Sequence, residues 1–201
     1  MEIFKQIEAR VSPWKNGGGV TREMLRVPAG GESFDWRVSV AEIATSGKFS
    51  DFSGYHRTLV LLRGHGVSLD FPATETTLRR VGDSVQFDGA LAVDSRLLQG
   101  SCVDLNLIVS HAKYMVSARV QRFEHSRAIQ VPAANGAAQI IFSIRGALSL
   151  AQGRSMARLN EWDLALCTED APIEVAAIET ASAVAAESMA FIATLKERES
   201  A

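Results

Sequence analysis

Hydrophobic and polar residues alternate along this chain in short runs, with little of the longer period of an amphipathic helix. In one run, Trp36, Val38 and Val40 fall on one side, and Arg37 and Ser39 fall on the other. A two-residue period is that of a β-strand with two different faces. Such runs recur roughly every 8–12 residues with turn residues between them, which favours a β-sandwich or barrel. The sequence therefore predicts an all-β fold.

The runs bound the predicted elements. The predicted strands are Ser33–Ile43, Thr58–Leu62, Val67–Phe71, Val81–Phe87, Cys102–Ser110, Lys113–Phe123, Ala138–Ile144, Ala147–Ala151, Asp163–Thr168, Ile173–Ala177 and Met189–Leu195. The best helix candidate is the alanine-rich stretch Thr180–Ala186.

Part of the pattern occurs twice. The segment LLRGHGVSL from Leu61 resembles SIRGALSL from Ser143, and the Gly82-Asp83 turn returns as Trp162-Asp163. The two offsets, 82 and 80 residues, are nearly equal, which indicates a duplicated hairpin-rich unit. We expect two closely packed barrels, one over 1–112 and the other over 113–201.

A glycine-bounded hairpin followed by a Gly-Asp turn is similar to the repeating unit of the cupin superfamily. The resemblance implies a bicupin, two jelly-roll barrels from an internal duplication. Cupin metal centres use a His-x-His pair, a Glu and a later His. Counted back from Gly64, the Glu position falls on Arg57 and the His pair falls near 51–53, while no histidine follows His125. Because an arginine repels a divalent cation, we expect no metal and no cofactor.

Composition excludes several classes of protein. The formal charge of −2 gives no support for binding nucleic acid or an anionic membrane. No apolar run is long enough to span a bilayer, and the first residues lack the pattern of a signal peptide. We expect a soluble, cytoplasmic protein in which Cys102 and Cys167 are buried thiols rather than a disulfide.

The first candidate for chemistry is the stretch Trp14-Lys15-Asn16, which precedes three consecutive glycines. An aromatic ring, a cation and an amide can together stack on, neutralise and hydrogen-bond a small carboxylate. The glycines let the backbone pass close to a ligand. The alternative is a tight turn in which Trp14 plugs the core. The glycine fingerprints of nucleotide-binding loops do not match.

Two strands carry polar residues at alternate positions. Arg37 and Ser39 share a strand face, and a guanidinium can clamp a carboxylate through two hydrogen bonds. Glu42 follows on the same strand. Asp104 and Asn106 share a face of an apolar strand, where backbone or ligand must satisfy them. For Arg37 and Ser39 the alternative is a solvated strand face.

An aromatic loop leads into the fourth cluster. Phe49 and Phe52 could line the mouth of a pocket, and His56 and Arg57 follow them directly. A small core that anchors the loop is the alternative.

Taken together these motifs are specific. PWKNGGGVTRE from Pro13, WRVSVAEI from Trp36, FSDFSG from Phe49 and the Asp-Leu-Asn of 104–106 resemble the HutD/Ves family, in the same order and over about the first 110 residues. The family consists of bicupin proteins associated with histidine utilisation. Its members are thought to bind N-formylglutamate or urocanate and to restrain the pathway, and no catalytic activity is established for them.

The resemblance implies a metal-free protein that senses or buffers a small carboxylate intermediate. Its partner would be a small organic acid, and a homodimer is compatible with this interpretation. In the first barrel, the arginines would clamp carboxylates while polar and aromatic groups complete the pocket. The candidate ligand-binding residues are Trp14, Lys15, Asn16, Arg37, Ser39, Glu42, Phe49, Phe52, His56, Arg57, Asp104 and Asn106.

Two other functions stay open. The first is a metal-independent enzyme, an isomerase or hydrolase acting on a small organic acid, with Glu42 or His56 as general base. The sequence contains no G-x-S-x-G elbow and no evident Cys–His pair in its favour. The second is a protein-interaction module, which would present a large exposed apolar patch.

Overall fold

A computed structural model describes residues 1–14, 17–30, 33–123, 127–178 and 187–198. Within them nearly all regular structure is β-strand, with a single 3₁₀ turn at Gln6–Glu8, so the all-β prediction is confirmed. In this part of the chain no helix has the length and apolar character to cross a membrane. The helix candidate Thr180–Ala186 lies outside the described residues.

The described part of the chain forms nineteen strands. Tyr114–Phe123 and Ala147–Gln152 alternate in burial, whereas Tyr55–Arg63 and Cys102–Ser110 are buried along most of their length. The first strands are β1 Glu2–Phe4, β2 Arg10–Pro13, β3 Gly19–Val27, β4 Trp36–Ile43, β5 Gly47–Lys48, β6 Tyr55–Arg63, β7 Val67–Phe71, β8 Thr74–Leu78, β9 Ser84–Asp88, β10 Asp94–Leu97 and β11 Cys102–Ser110. The remaining strands are β12 Tyr114–Phe123, β13 Ile129–Val131, β14 Ala138–Arg145, β15 Ala147–Gln152, β16 Ser155–Leu159, β17 Leu164–Cys167, β18 Ile173–Ile178 and β19 Ser188–Glu197.

The first compact unit comprises Glu8–Tyr114. It contains a six-stranded sheet in the order β2-β3-β4-β11-β6-β9 and a four-stranded sheet in the order β5-β10-β7-β8. Leu59 and Leu61 of the larger sheet and Val67 and Leu69 of the smaller sheet belong to one buried apolar cluster. This is a jelly-roll barrel with an apolar core between its two sheets.

The second unit comprises Met115–Ala201 together with Met1–Ile7. Its sheets have the orders β1-β17-β14-β19-β12 and β13-β18-β15-β16. The first seven residues, which the sequence pattern assigns to the first barrel, therefore belong to the second unit, where β1 extends a sheet. In that sheet Ile3 on β1 is paired with Ala165 on β17 and packs against the core of this unit.

The internal resemblance has a counterpart in backbone geometry. In the first unit Leu61 exchanges two backbone hydrogen bonds of 2.9 Å with the Gly82-Asp83 turn, and in the second Ser143 exchanges bonds of 3.0 and 2.7 Å with Trp162-Asp163. The first residue of each turn has a positive φ, 90° and 67° respectively. Strands β6–β11 and β14–β19 thus follow one topology, as a duplicated unit requires.

The position of β1 leads to a testable prediction. Replacing Ile3 by Asp places a carboxylate against the apolar core of the second unit, which should lower the free energy of unfolding by about 1–3 kcal/mol. Amide hydrogen exchange should show the loss of protection in Leu164–Cys167, the strand that pairs with β1. Val11→Asp is the matched control, because Val11 is an exposed residue of β2 in the first unit. Loss of protection in β3 instead would contradict this assignment.

Candidate functional site

A cavity of about 550 Å³ opens into the first unit. It lies on the inward face of β4, β6 and β11, beside β2, β3, β5 and the loop after β5. Eight of its lining residues were predicted: Trp14, Arg37, Ser39, Phe49, Phe52, Arg57, Asp104 and Asn106. Six were not: Pro13, Thr21, Ala41, Lys48, Ser50 and Ile108.

Strand register brings the polar groups of the cavity side by side. Ser39 on β4 is paired with Asn106 on β11. Ile108 on β11 is paired with Arg37 on one side and with Arg57 on β6 on the other. The two arginines thus occupy one row of the sheet, two strands and roughly 10 Å apart at the backbone. Residues of one row point to the same face, so both cations project into the barrel.

Glycine residues position Trp14, which forms an aromatic wall of the cavity. The indole Nε1–H of Trp14 donates a hydrogen bond of 2.8 Å to Thr21 Oγ1. A Cβ atom on Gly19 would lie 2.1 Å from the carbonyl oxygen of Glu42 and 3.1 Å from the Trp14 ring, so only glycine fits there. Gly17 has a φ of 70°. Trp14 both lines the cavity and packs against the core, which combines the two roles that the sequence left open.

A hydrogen-bonded chain of three side chains forms the floor of the cavity. Arg57 Nη2 donates to Asn106 Oδ1 at 2.8 Å, and Asn106 Nδ2 donates to Asp104 Oδ1 at 3.0 Å. Arg57 is 6% exposed and Asp104 is 1% exposed. The Nε–H of Arg57 is buried and has no hydrogen-bond partner. The floor therefore presents an incompletely satisfied cation, which an anion could complete.

Burial shifts the pKa of both charged groups in the floor of the cavity, Arg57 and Asp104. It lowers the pKa of Arg57 to about 10, with Asp104 acting in the opposite direction. It raises the pKa of Asp104 to about 7, although Arg57 and the hydrogen bond from Asn106 favour the carboxylate. The opposite shifts have one cause, since a poorly solvated interior disfavours either charge. An arginine with a pKa of about 10 remains cationic at neutral pH.

Aromatic rings surround the guanidinium groups. Arg57 Cζ lies 5.0 Å from the ring centroid of Phe49, 5.2 Å from that of Phe52 and 5.1 Å from that of Phe87. Arg37 Cζ lies 5.4 Å from the Phe52 centroid, so one ring serves both cations. Cation–π contacts stabilise a partly desolvated guanidinium without occupying its hydrogen-bond donors. The Nε–H groups, which have no acceptor in the protein, remain available to a ligand.

Arg37 is less enclosed than Arg57. Its Nη1 lies 3.9 Å from Glu23 Oε2, whereas Arg26 Nε lies only 3.1 Å from the same oxygen. Its Nε is buried without a hydrogen-bond partner, and its Cζ lies 5.0 Å from the ring centroid of Phe34. Desolvation lowers the pKa of Arg37, and Glu23 raises it. Both arginines of the row thus retain an unpaired donor.

Two of the predicted site residues that the structure describes, Glu42 and His56, are not among the lining residues. Glu42 is exposed and lies on β4 with its side chain on the opposite face from Ser39. His56 precedes Arg57 on β6, points to the other face and lies 3.2 Å from Gln86 through its Nε2. Lys15 and Asn16 lie outside the described residues. A ligand-binding role stays a prediction for all twelve candidates.

The residues that sequence reasoning missed carried a usable signal. Ala41 follows Ser39 by two positions and Ile108 follows Asn106 by two, so strand periodicity alone puts them on the same face. Lys48 is the last residue of β5 and directly precedes Phe49. The same periodicity argues against Glu42, which lies an odd number of positions from Ser39.

The second unit lacks this polar chain at the corresponding positions. The equivalent strand registers place Gln139, Ala190 and Ile192 where the first unit has Arg57, Asp104 and Asn106. Ala190 and Ile192 belong to the apolar core of their unit. Gln139 Nε2 donates to the carbonyl of Pro132 at 2.8 Å. Among the described residues no three His, Cys, Asp or Glu side chains cluster closely enough to hold a metal ion.

The motifs that line the cavity have a known counterpart. A family model described as HutD matches residues 6–185. The chain belongs to the HutD family. This confirms the resemblance seen in the sequence.

Individual relatives agree with this assignment. A 21.2 kDa protein in the hutC 3′ region of Pseudomonas putida is 34% identical over 153 residues, which cover 75% of this chain and 78% of that protein. HutD from Pseudomonas fluorescens SBW25, solved in a formate condition, has a TM-score of 0.78 and 28% identity, covering 98% and 99% of the two chains. A conserved protein from Pseudomonas aeruginosa PAO1 has a TM-score of 0.83 and 26% identity, covering 96% and 97%. The names of the first two tie the HutD family to the histidine-utilisation genes.

The similarity to cupins is one of fold alone. A cupin barrel-domain protein from Leptotrichia buccalis has a TM-score of 0.55 at 9% identity, covering 89% of each chain. The predicted cupin fold class is confirmed.

The close packing at Gly19 yields a second prediction. In this protein, Gly19→Ala should displace the Trp14 indole or separate β3 from β4, and should cost about 3 kcal/mol of stability. The indole Nε1–H resonance of Trp14 should shift because its hydrogen bond to Thr21 is disturbed. Gly47→Ala is the control, since Gly47 has no neighbour within 4 Å of an added Cβ. An unchanged indole resonance in Gly19→Ala would contradict the proposed wall.

Proposed function

We propose that this HutD protein binds a small organic acid of histidine utilisation in the cavity of its first barrel. The ligand is N-formylglutamate or urocanate, and the protein senses or buffers it and thereby restrains the pathway. Membership of a family tied to the histidine-utilisation genes supports the class of ligand.

The buried, incompletely paired Arg57 carries this proposal. A guanidinium out of water loses hydration, and each donor left without a partner costs free energy. Here Nη2 is paired with Asn106, while Nε is without a partner. A carboxylate accepts hydrogen bonds from two guanidinium donors at once and supplies the missing negative charge. The cavity is thus more complementary to an anion than to a neutral molecule.

The rest of the cavity fits a molecule with one or two carboxylates and a short apolar body. About 550 Å³ lies within the range of small-molecule sites. Arg37 and the exposed Lys48 add positive charge to the lining, while Ile108 provides an apolar surface between the arginines. Ser39 is a further hydroxyl on the same face. An acid of this size can reach both arginines.

A metal-independent enzyme is the second candidate, and one observation favours it. Asp104 is a buried carboxyl group whose pKa is raised to about 7, as general bases often are. Glu42 and His56, the bases considered from the sequence, do not line the cavity.

Incubation of each acid with the protein, followed by NMR of the mixture, separates the two functions. We expect each acid to be recovered unchanged, and product formation abolished by Asp104→Asn would favour the enzyme.

Binding gives a third prediction. Isothermal calorimetry at pH 7 should detect N-formylglutamate or urocanate binding. Arg37→Gln should weaken that binding about 10- to 100-fold, because one charged hydrogen-bonding group is lost. Arg57→Lys keeps the charge but removes the planar fork, so it should also weaken binding.

The matched control is Arg79→Gln, which removes an exposed arginine of the same unit that does not line the cavity. Its affinity should equal that of the unaltered protein. Circular dichroism checks that each variant is folded. Absence of heat with both acids, in a folded protein, would refute the proposed ligands. Equal effects of Arg37→Gln and Arg79→Gln would refute the proposed site.

A further inference from the structure

The carboxyl group of Asp104 is an unexpected feature of a site that attracts anions. It is 1% exposed and lines the same cavity as the two arginines. It does not touch Arg57 directly, since the amide of Asn106 lies between them. An anion that enters therefore meets a negative charge as well as positive ones. The site must therefore accommodate two negative groups, the Asp104 carboxylate and the ligand.

Hydrogen bonds show that Asp104 orients Asn106. An amide side chain can present either its oxygen or its nitrogen to a neighbour. Because Asp104 accepts a hydrogen bond from Nδ2, the oxygen of Asn106 faces Arg57 Nη2. That contact fixes the guanidinium plane and leaves its Nε edge for a ligand. Asp104 thus acts on the ligand site through Asn106.

Charged neighbours of Asp104 are few among the described residues. Its row contains Ala41 on β4 and Leu61 on β6, neither of which ionises. On its own strand Cys102 lies two residues away, and burial and Asp104 raise the pKa of that thiol to about 12, so it stays neutral. Arg57 is the positive charge that supports the Asp104 carboxylate.

The remaining charges of the cavity act from farther away. Arg37 lowers the pKa of Arg57, which shows that the two cations interact. Lys48 lies on β5, is exposed and lines the same cavity. From β2 and β3 the lining residues are Pro13 and Thr21, which carry no charge. The positive potential at Asp104 therefore comes chiefly from Arg57.

We propose that Asp104 is a positioning residue of the anion site that takes up a proton when an anion binds to Arg57. The inference rests on the anion site proposed above. A bound carboxylate neutralises the positive charge that supports the Asp104 carboxylate. Asp104 then binds a proton and becomes neutral, still accepting the hydrogen bond from Asn106. Binding of the anion and binding of the proton are thermodynamically coupled.

The coupling has a definite sign. A proton taken up on binding makes the affinity highest where Asp104 is already neutral in the free protein. Affinity for an anion should therefore be nearly constant from pH 6 to 7. It should fall by up to about tenfold per pH unit above pH 7, because each binding event then requires a proton from solution.

Formate, a small carboxylate, tests the proton coupling independently of N-formylglutamate and urocanate. NMR titrations of the full chain with sodium formate at pH 6, 7, 8 and 9 should give the constant and then falling affinity described above. In Asp104→Asn, which keeps an oxygen facing Asn106, formate should still bind and its affinity should not depend on pH. Asp94→Asn, an exposed residue of the same unit, should retain the dependence of the unaltered protein.

A second measurement needs no variant. The ¹³C resonance of the Asp104 carboxyl group at pH 7.5 should move toward the protonated position when formate is added. A pH-independent formate affinity, or an unchanged slope in Asp104→Asn, would overturn the inference. Failure of formate to bind at any pH would overturn it as well. Failure of N-formylglutamate and urocanate alone would refute the proposed ligands and leave the proton coupling standing.

Discussion

The site in the first barrel depends on a buried cation, since Arg57 is only 6% exposed. Transferring a guanidinium from water into a buried place is costly unless it is paired and hydrogen-bonded. Three aromatic rings and the hydrogen bond to Asn106 compensate part of that cost. Asp104 contributes through its negative charge, without a direct hydrogen bond to Arg57. At the equivalent place in the second barrel stands a neutral glutamine that bonds to the backbone. At equivalent positions, one barrel thus has an uncharged interior and the other has a cation with an unpaired donor.

Backbone contacts hold the aromatic side chains of the cavity in place around the buried cation. The loop that carries Phe49 and Phe52 is tied down by backbone bonds of 2.9 Å to Val93 and Gly89. A Cβ atom on Gly89 would lie 2.4 Å from the carbonyl oxygen of Phe52, so this close approach requires glycine. Gly19 has the same function on the opposite side of the cavity. A site whose aromatic groups are already in place loses little conformational entropy when a ligand binds.

Strand periodicity was the part of this site that the sequence could predict. It places Arg37 with Ser39 and Asp104 with Asn106 on common faces, and the structure agrees. Proximity in sequence is a poor guide to Glu42, which shares a strand with Ser39 but points to the opposite face. Long-range register could not be read from one sequence, because the row that joins Arg37 to Arg57 depends on how three strands pair. The pairing of β1 with β17 is of the same kind.

The combination of two arginines with one buried carboxyl group has a physical rationale under the proposed function, which requires reversible binding. Cations left wholly unpaired would destabilise the empty barrel and hold an anion very tightly. A carboxylate in direct contact with Arg57 would instead satisfy the cation and exclude the ligand. Asp104, one amide removed, supports the charge of the empty site without occupying the donors that face the cavity. Such a half-compensated cation favours reversible binding, which suits a sensor or buffer better than permanent capture.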